Sequence, residues 1–233
     1  MVGVLALVCA RVNSQGVKGK NFRQLNGKAL ILHSIQHAIE AVMVNHVAAV
    51  TNKGFIRPEG VMRIERPAAL ERSDAQKWEV WRHAVREFEQ RTDSTVKIVV
   101  DLDVTRPLRN RHDVDAVIHA VQFGTCDGAL AVSPARRNPY QDILEIIDGR
   151  LRTSKVMTDD RPIFLRQYAP DTYDHGGITV LRRDYLFAAK HLFDGMITPV
   201  VVEPDTVWDI DSETEWAIVE MLHAKRANAA VGI

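Results

Sequence analysis

Two groups of residues in this 233-residue chain have the types and spacing that phosphate chemistry needs. The first is Arg11-Val12-Asn13-Ser14-Gln15-Gly16-Val17-Lys18-Gly19-Lys20-Asn21, which directly follows an apolar run ending at Ala10. Glycines in such a loop let backbone amides approach phosphate oxygens, while Arg and Lys neutralise charge. The glycine spacing fits neither a Walker A loop nor the dinucleotide fingerprint, so on composition alone a solvated turn is an equal alternative. The second group is Asp209-Ile210-Asp211. Residues two apart in an extended segment face the same way, and a carboxylate pair suits Mg²⁺, which combines one or two carboxylates with phosphate oxygens and water. The competing reading is that Asp211 helps Ser212 cap the last helix while Asp209 is solvated. A similar pair, Asp101 and Asp103, closes another apolar run. Asp103 there either faces a metal or a ribose, or is a solvated strand end.

Such residues need a scaffold that gathers loops along one edge of a sheet. Val2–Cys9 reads as a buried strand. Ala29–Met43 reads as a helix, with Ile31, Ile35, Ala38, Ile39 and Val42 on its apolar stripe and His33, Gln36, His37 and Glu40 opposite. Val47–Thr51 and Met62–Ile64 are expected strands. Ser73 with Gln76 is a capping-box pattern for a helix reaching Arg91 that buries Trp78, Trp81, Val85 and Phe88. Strands at Val96–Val100 and Ala129–Ser133 flank a helix at Asp113–Phe123. This alternation predicts an α/β fold: a three-layer, doubly wound, mostly parallel sheet with right-handed crossovers.

From Pro134 the rhythm breaks. Residues 135–175 read as an insertion, a dimerisation arm, within a single domain spanning 1–233. The pattern resumes at Ile178–Leu181, Tyr185–Phe193 and Val200–Val202. A second capping box, Ser212-x-x-Glu215, opens a last helix expected to bury Ala217, Ile218, Met221 and Leu222 and to fray from Ala224.

Composition narrows the function. Thirty Lys and Arg balance thirty Asp and Glu, which argues against a general binder of nucleic acid or anionic membranes, since counterion release needs a concentrated positive surface. With 46% apolar and 26% charged residues the chain is of ordinary globular composition. No run approaches the roughly 20 apolar residues that span a bilayer. Two cysteines, Cys9 and Cys126, supply no disulfide framework, and a reducing cytoplasm is expected.

Seven segments, in order, resemble the acylneuraminate cytidylyltransferases, the CMP-sialic acid synthetase family. They are Ala10-Arg11-x-Asn13-Ser14-x-Gly16-x-x-x-Lys20-Asn21; Leu25-x-Gly27-Lys28-x-Leu30-Ile31-x-x-Ser34-Ile35; Arg66-Pro67-Ala68-x-Leu70 with Ser73-Asp74; and Thr105-x-Pro107-Leu108-Arg109 with Asp113 and Asp115. Arg137-Asn138-Pro139-Tyr140, Arg166-Gln167 and Asp209-Ile210-Asp211 complete the series. The resemblance implies a nucleotidyltransferase fold, a homodimer and a Mg²⁺-dependent transfer of CMP from CTP to a keto-deoxy acid sugar. It places Ala10, Arg11, Asn13, Ser14, Gly16, Lys20, Asn21 and Arg66 at the nucleotide, and Asp209 and Asp211 at the metal; Asp103 is expected at the nucleotide from its position at a strand's carboxyl end. The resemblance assigns Arg11, Lys20 and Asp211 to catalysis and Arg166 and Gln167 to the sugar; His175 is expected at the sugar because it adjoins two glycines in the sugar-binding turn.

The chain departs from the family at four places. Gln15 stands where a lysine is usual, Asp103 where a glutamine is usual, and Asp174 and Gly176 replace arginine and asparagine in a sugar-binding turn. Only Asn52–Gly60 fills a crossover where relatives often carry a helix. These departures keep two alternatives open: a nucleotide-binding scaffold with impaired catalysis, and a transferase for another acceptor such as keto-deoxy-octonate. His33 and His37 are expected to be solvated, Cys9 to be buried and inert, and His175 to contact the acceptor or move a proton.

Overall fold

The computed structural model describes residues 3–12, 16–72, 74–156 and 166–231. Strand β1 (Val4–Cys9) leads through the strand pair β2 (Gln24–Leu25) and β3 (Lys28–Ala29) into α1 (Leu30–Glu40) and β4 (His46–Val50). Next come β5 (Met62–Ile64), α2 (Ala68–Glu71), α3 (Lys77–Thr92), β6 (Ile98–Leu102), α4 (Arg111–Phe123) and β7 (Gly128–Pro134). The hairpin β8 (Leu144–Ile147) and β9 (Arg150–Thr153) follows, then β10 (Tyr173–Arg182), α5 (Arg183–Ala188), β11 (Ile197–Val201) and α6 (Glu213–Val231).

The central sheet has seven strands in the order β11-β7-β10-β6-β1-β4-β5. All neighbours run parallel except β10, which is antiparallel to both β6 and β7. That exception follows from connectivity: β7 and β10 are joined by the excursion after Pro134, with no crossover helix among its described residues to carry the chain back. Tyr173, Asp174 and His175 pair with Pro134, Ser133 and Val132, so β10 begins inside the span read as an insertion.

Alternation along β1 builds the layers. Val4, Ala6 and Val8 join a core with α1, α4 and α6, whereas Leu5 and Leu7 join a second core with Trp78, Trp81, Val85 and Phe88 of α3 and Leu186 of α5. This is the expected three-layer α/β architecture.

Local differences have identifiable causes. α1 ends at Glu40, and Ile39 and Val42 are 44% and 82% exposed. His33, expected on the polar face, is 6% exposed, because the β2–β3 turn and α6 cover that side: its Nε2 meets the Leu25 carbonyl oxygen at 3.1 Å and its ring stacks edge-on against His223 at 4.7 Å. His37 is half-buried beside it. α3 starts at Lys77 behind Gln76 without a side-chain cap; Ser73 lies outside the described residues. α4 starts at Arg111, where Asn110 accepts from the His112 and Asp113 amides and Asp113 accepts from the Asn110 amide. α6 buries Trp216 and Val219 instead of Ala217 and Met221, and it stays helical through Val231 instead of fraying.

Candidate active site

β1 is followed by a chain that turns towards β4 on one side, while β6 lies on its other side. The loops after β1 and β6 therefore diverge and open a crevice at the carboxyl ends of the strands, where open α/β sheets bind ligands. A cavity of about 380 Å³ lies there, lined among others by Arg11, Gly16, Lys20, Asn21, Arg66 and Asp211.

The loop after β1 is held from below and from across the chain. Val17 is buried in the core, Gly19 turns at φ 65°, and residues 20–22 close a 3-10 turn. Asn21, itself buried, donates to the Arg11 carbonyl oxygen at 2.9 Å. Ala10 is fully buried, and its amide donates to the Val50 carbonyl oxygen, so it positions Arg11 without lining the cavity. Lys20 Nζ donates to the Ile210 carbonyl oxygen at 2.6 Å and to Asp211 Oδ1 at 2.7 Å. Gly16 lies so close to the Asp211 carbonyl oxygen that a Cβ there would collide with it. Asn13, Ser14 and Gln15 lie outside the described residues.

Arg66 reaches the same cavity from the end of β5 and is 7% exposed. Its Nη2 donates to the Leu70 carbonyl oxygen, and Asn52 clasps its backbone with bonds of 2.7 and 3.0 Å. Residues 52–60 form no helix or strand, in keeping with the shortened crossover. Cys9 also lines the cavity; burial and the neighbouring Asp101 push its thiol well above the ordinary range, so it stays protonated and inert.

Asp209 and Asp211 flank the fully buried Ile210, the alternation expected of an extended segment. Asp209 Oδ2 pairs with Arg106 Nη2 at 2.9 Å, and its Oδ1 is buried with no hydrogen-bond partner among the described residues. Asp209 faces a smaller cavity of about 200 Å³, shared with Arg106, Arg136, Asp174 and His175. Arg106 joins the two regions: its Nη1 donates to the carbonyl oxygens of His175 and of Val207. The structure thus sets the two carboxylates on neighbouring cavities, Asp211 largely exposed on the larger and Asp209 with an orphaned oxygen on the smaller; each is a hard-oxygen donor of the kind a divalent cation takes.

Asp103 lies at the cavity wall, bound to Lys77. Burial alone would raise its carboxyl; Lys77, with Arg109 nearby, instead holds it well below the ordinary carboxylate range. His175 sits 3.9 Å from Asp103 Oδ2, brought there by a bulge in β10. Its Nδ1 accepts from the Gly177 amide at 3.0 Å, and burial lowers its pKa, so the ring is neutral with its proton on Nε2. Gly176 packs on the Ala131 backbone with no room for a Cβ, which accounts for glycine at that departure from the family pattern. Gln167 is exposed on a 3-10 turn spanning 166–168 and lines neither cavity; the side chain of Arg166 lies outside the described set.

Lys77, Asn52 and Arg106 carry much of this geometry and were not singled out from the sequence. Arg106 alone offered a signal, as the basic residue inside the Thr105–Arg109 motif.

The cytidylyltransferase family model matches residues 5–122, which hold every cavity-lining residue except Asp211. Along 95% of both chains the protein is 30% identical to post-translational flagellin modification protein B of Campylobacter coli and 30% identical to CMP-N,N'-diacetyllegionaminic acid synthase of Campylobacter jejuni. Its fold is shared with a solved CMP:2-keto-3-deoxy-manno-octonic acid synthetase complexed with CTP, at TM-score 0.65 and 17% identity over 96% of this chain and 99% of that one. A 4-diphosphocytidyl-2C-methyl-D-erythritol synthase superposes at TM-score 0.66 with 10% identity over 95% and 99%. With a switch-point cleft, a basic loop locked to an aspartate and a family match over half its length, the chain is a nucleotidyltransferase that belongs to the cytidylyltransferase family.

Proposed function

We propose that the enzyme transfers CMP from CTP to the anomeric hydroxyl of a nonulosonic acid of the sialic, legionaminic or pseudaminic type, releasing pyrophosphate. The observation that carries this reading is the cleft in which Lys20 locks the loop after β1 to Asp211. The likeness to the Campylobacter synthase supports the choice of acceptor.

In the reaction the sugar hydroxyl attacks the α-phosphorus, the P–O bond to pyrophosphate breaks, and the hydroxyl proton leaves to a base or to solvent. Such chemistry depends on positioning and on charge stabilisation over the phosphate oxygens. Arg11, Lys20 and Arg66 supply cationic donors on the cavity wall, and Asn21 fixes the carbonyl of Arg11. Asp209 and Asp211 would hold a Mg²⁺ ion, which supplies neutralisation of phosphate charge when bound. His175 and Arg106 line the smaller cavity, the side proposed for the acceptor. CTP, the acid sugar and Mg²⁺ are thus the proposed ligands. The cytoplasm is the proposed compartment, and no helix among the described residues is long and apolar enough to cross a membrane.

The test is pyrophosphate release from CTP and Mg²⁺ across a panel of nonulosonic acids, with keto-deoxy-octonate included. Release selective for one nonulosonic acid is expected; silence with all of them, while CTP still binds, would sink the acceptor assignment.

We also propose a homodimer built on the excursion after Pro134. A lone two-stranded hairpin is marginal in water. Here β8 and β9 leave Leu144, Ile146 and Leu151 at 52%, 76% and 67% exposed, an apolar surface that a second copy would bury. Light scattering is expected to give a dimer for the wild type and a monomer for Ile146→Lys/Leu151→Lys. A wild-type monomer at micromolar concentration would refute the arrangement.

A further inference from the structure

Asp101 lies in the last pleat of β6, Asp103 directly follows the strand's end at Leu102, and Lys77, the first residue of α3, reaches both carboxylates. Lys77 Nζ lies 2.5 Å from Asp101 Oδ2 and is also bonded to Asp103 Oδ1. Asp101 is 3% exposed, and its Oδ1 has no hydrogen-bond partner among the described residues. Two carboxylates this close repel each other unless a cation sits between them.

Other basic groups nearby do not fill that place. Arg109 donates to the backbone carbonyl of Asp103 and not to its carboxylate, and the His175 ring is neutral. Cys9 adjoins Asp101 as a protonated thiol. The Lys77 ammonium thus stands on the wall of the nucleotide cavity, its side chain 44% exposed, with the carboxylates behind it.

A point charge equidistant from two carboxylate oxygens is also what a hard divalent ion requires. Mg²⁺ and Mn²⁺ take one or two protein carboxylates at about 2.1 Å and complete the shell with water and phosphate. We propose that Lys77 is a built-in cation of this enzyme: its ammonium occupies a two-carboxylate site that would otherwise hold a second divalent ion beside the nucleotide. A tethered ammonium carries one charge instead of two, but it is present at any metal concentration and needs no dehydration. The enzyme would then need a single dissociable metal, at Asp209 and Asp211. This rests on the nucleotide-cleft reading proposed above, while its test needs no turnover.

The experiment is Mn²⁺ binding to the full chain, without nucleotide, followed by electron paramagnetic resonance of the free ion. Wild type, Lys77→Met and Lys77→Met/Asp101→Asn are compared, with circular dichroism to show that each is folded. Lys77→Met is expected to bind one Mn²⁺ more than the wild type, and the double variant to return to the wild-type number. In the Mg²⁺ dependence of pyrophosphate release, Lys77→Met is expected to be steeper than wild type and to regain rate at high Mg²⁺. An unchanged Mn²⁺ count in Lys77→Met overturns the proposal, as does an extra ion retained in the double variant. Two Mn²⁺ ions per wild-type chain overturn it without any variant. Absence of CMP transfer with every acid sugar would count against the acceptor assignment and leave the ion count to decide the role of Lys77.

Discussion

Asp211→Ala is expected to lower kcat for CMP transfer about a thousandfold, the scale on which the loss of one preorganised charge-stabilising group acts. Its effect on CTP binding should run the other way. In the structure Asp211 engages the ammonium of Lys20, whose side chain is only 12% exposed. Removing the carboxylate leaves that charge to the triphosphate, so CTP affinity measured without metal should not weaken. Lys20→Met removes the ammonium itself and should lower CTP affinity about tenfold, the value of one charge-assisted hydrogen bond. Stopped assays with equilibrium dialysis separate the two variants. If Asp211→Ala loses CTP binding and retains kcat, Asp211 is not in the catalytic apparatus.

Acid should destabilise the protein through two histidines on α1. Burial, with His223 and Lys28 nearby, lowers His33 to about 4; burial, with Arg109, His33, Lys28 and His223 nearby, lowers His37 to about 3. Both folded values lie below the ordinary 6.5, so as pH falls the unfolded chain takes up protons first. The stabilisation is complete above pH 6.5. It is lost progressively as pH falls towards 4 for His33 and towards 3 for His37. For His33 alone the full loss is about 3 kcal/mol. Urea midpoints compared at pH 7 and pH 4.5 should drop steeply in the wild type and less in His33→Asn, which keeps a donor for the Leu25 carbonyl. Equal drops in both proteins would show that His33 contributes nothing to the acid transition.

The strand–helix alternation made the layered sheet legible, and β5 coincides with its expected span, Met62–Ile64. The basic loop and the alternating aspartates were legible because their chemistry is local in sequence. Lys77 was not, since its meaning comes from Asp101 and Asp103 at the end of a strand that follows it by more than twenty residues. Periodicity misjudged His33 for a related reason: α1 packs against the sheet and also under α6, and a helix stripe reports only the broader of its two buried faces. Asn110 with Asp113 is a capping box spelled with residues other than the usual Ser/Thr and Glu/Gln pair, so the start of α4 was placed late. The antiparallel sense of β10 depended on how the excursion returns, which no local pattern encodes.

The partners that close the active cleft come from opposite ends of the polypeptide. Lys20 and Asp211 are separated by 191 residues, and Arg23 with Glu213 and Asn26 with the Glu220 carbonyl span 190 and 194. During synthesis the loop after β1 therefore leaves the ribosome long before the segment that clasps it, and the site is assembled last. A chain cut short before Asp211 could still pair most of its sheet yet could not form this clasp. Turnover, unlike the cationic loop after β1, therefore depends on a segment that emerges 191 residues later, and the loop can present Lys20 before Asp211 is there to engage it.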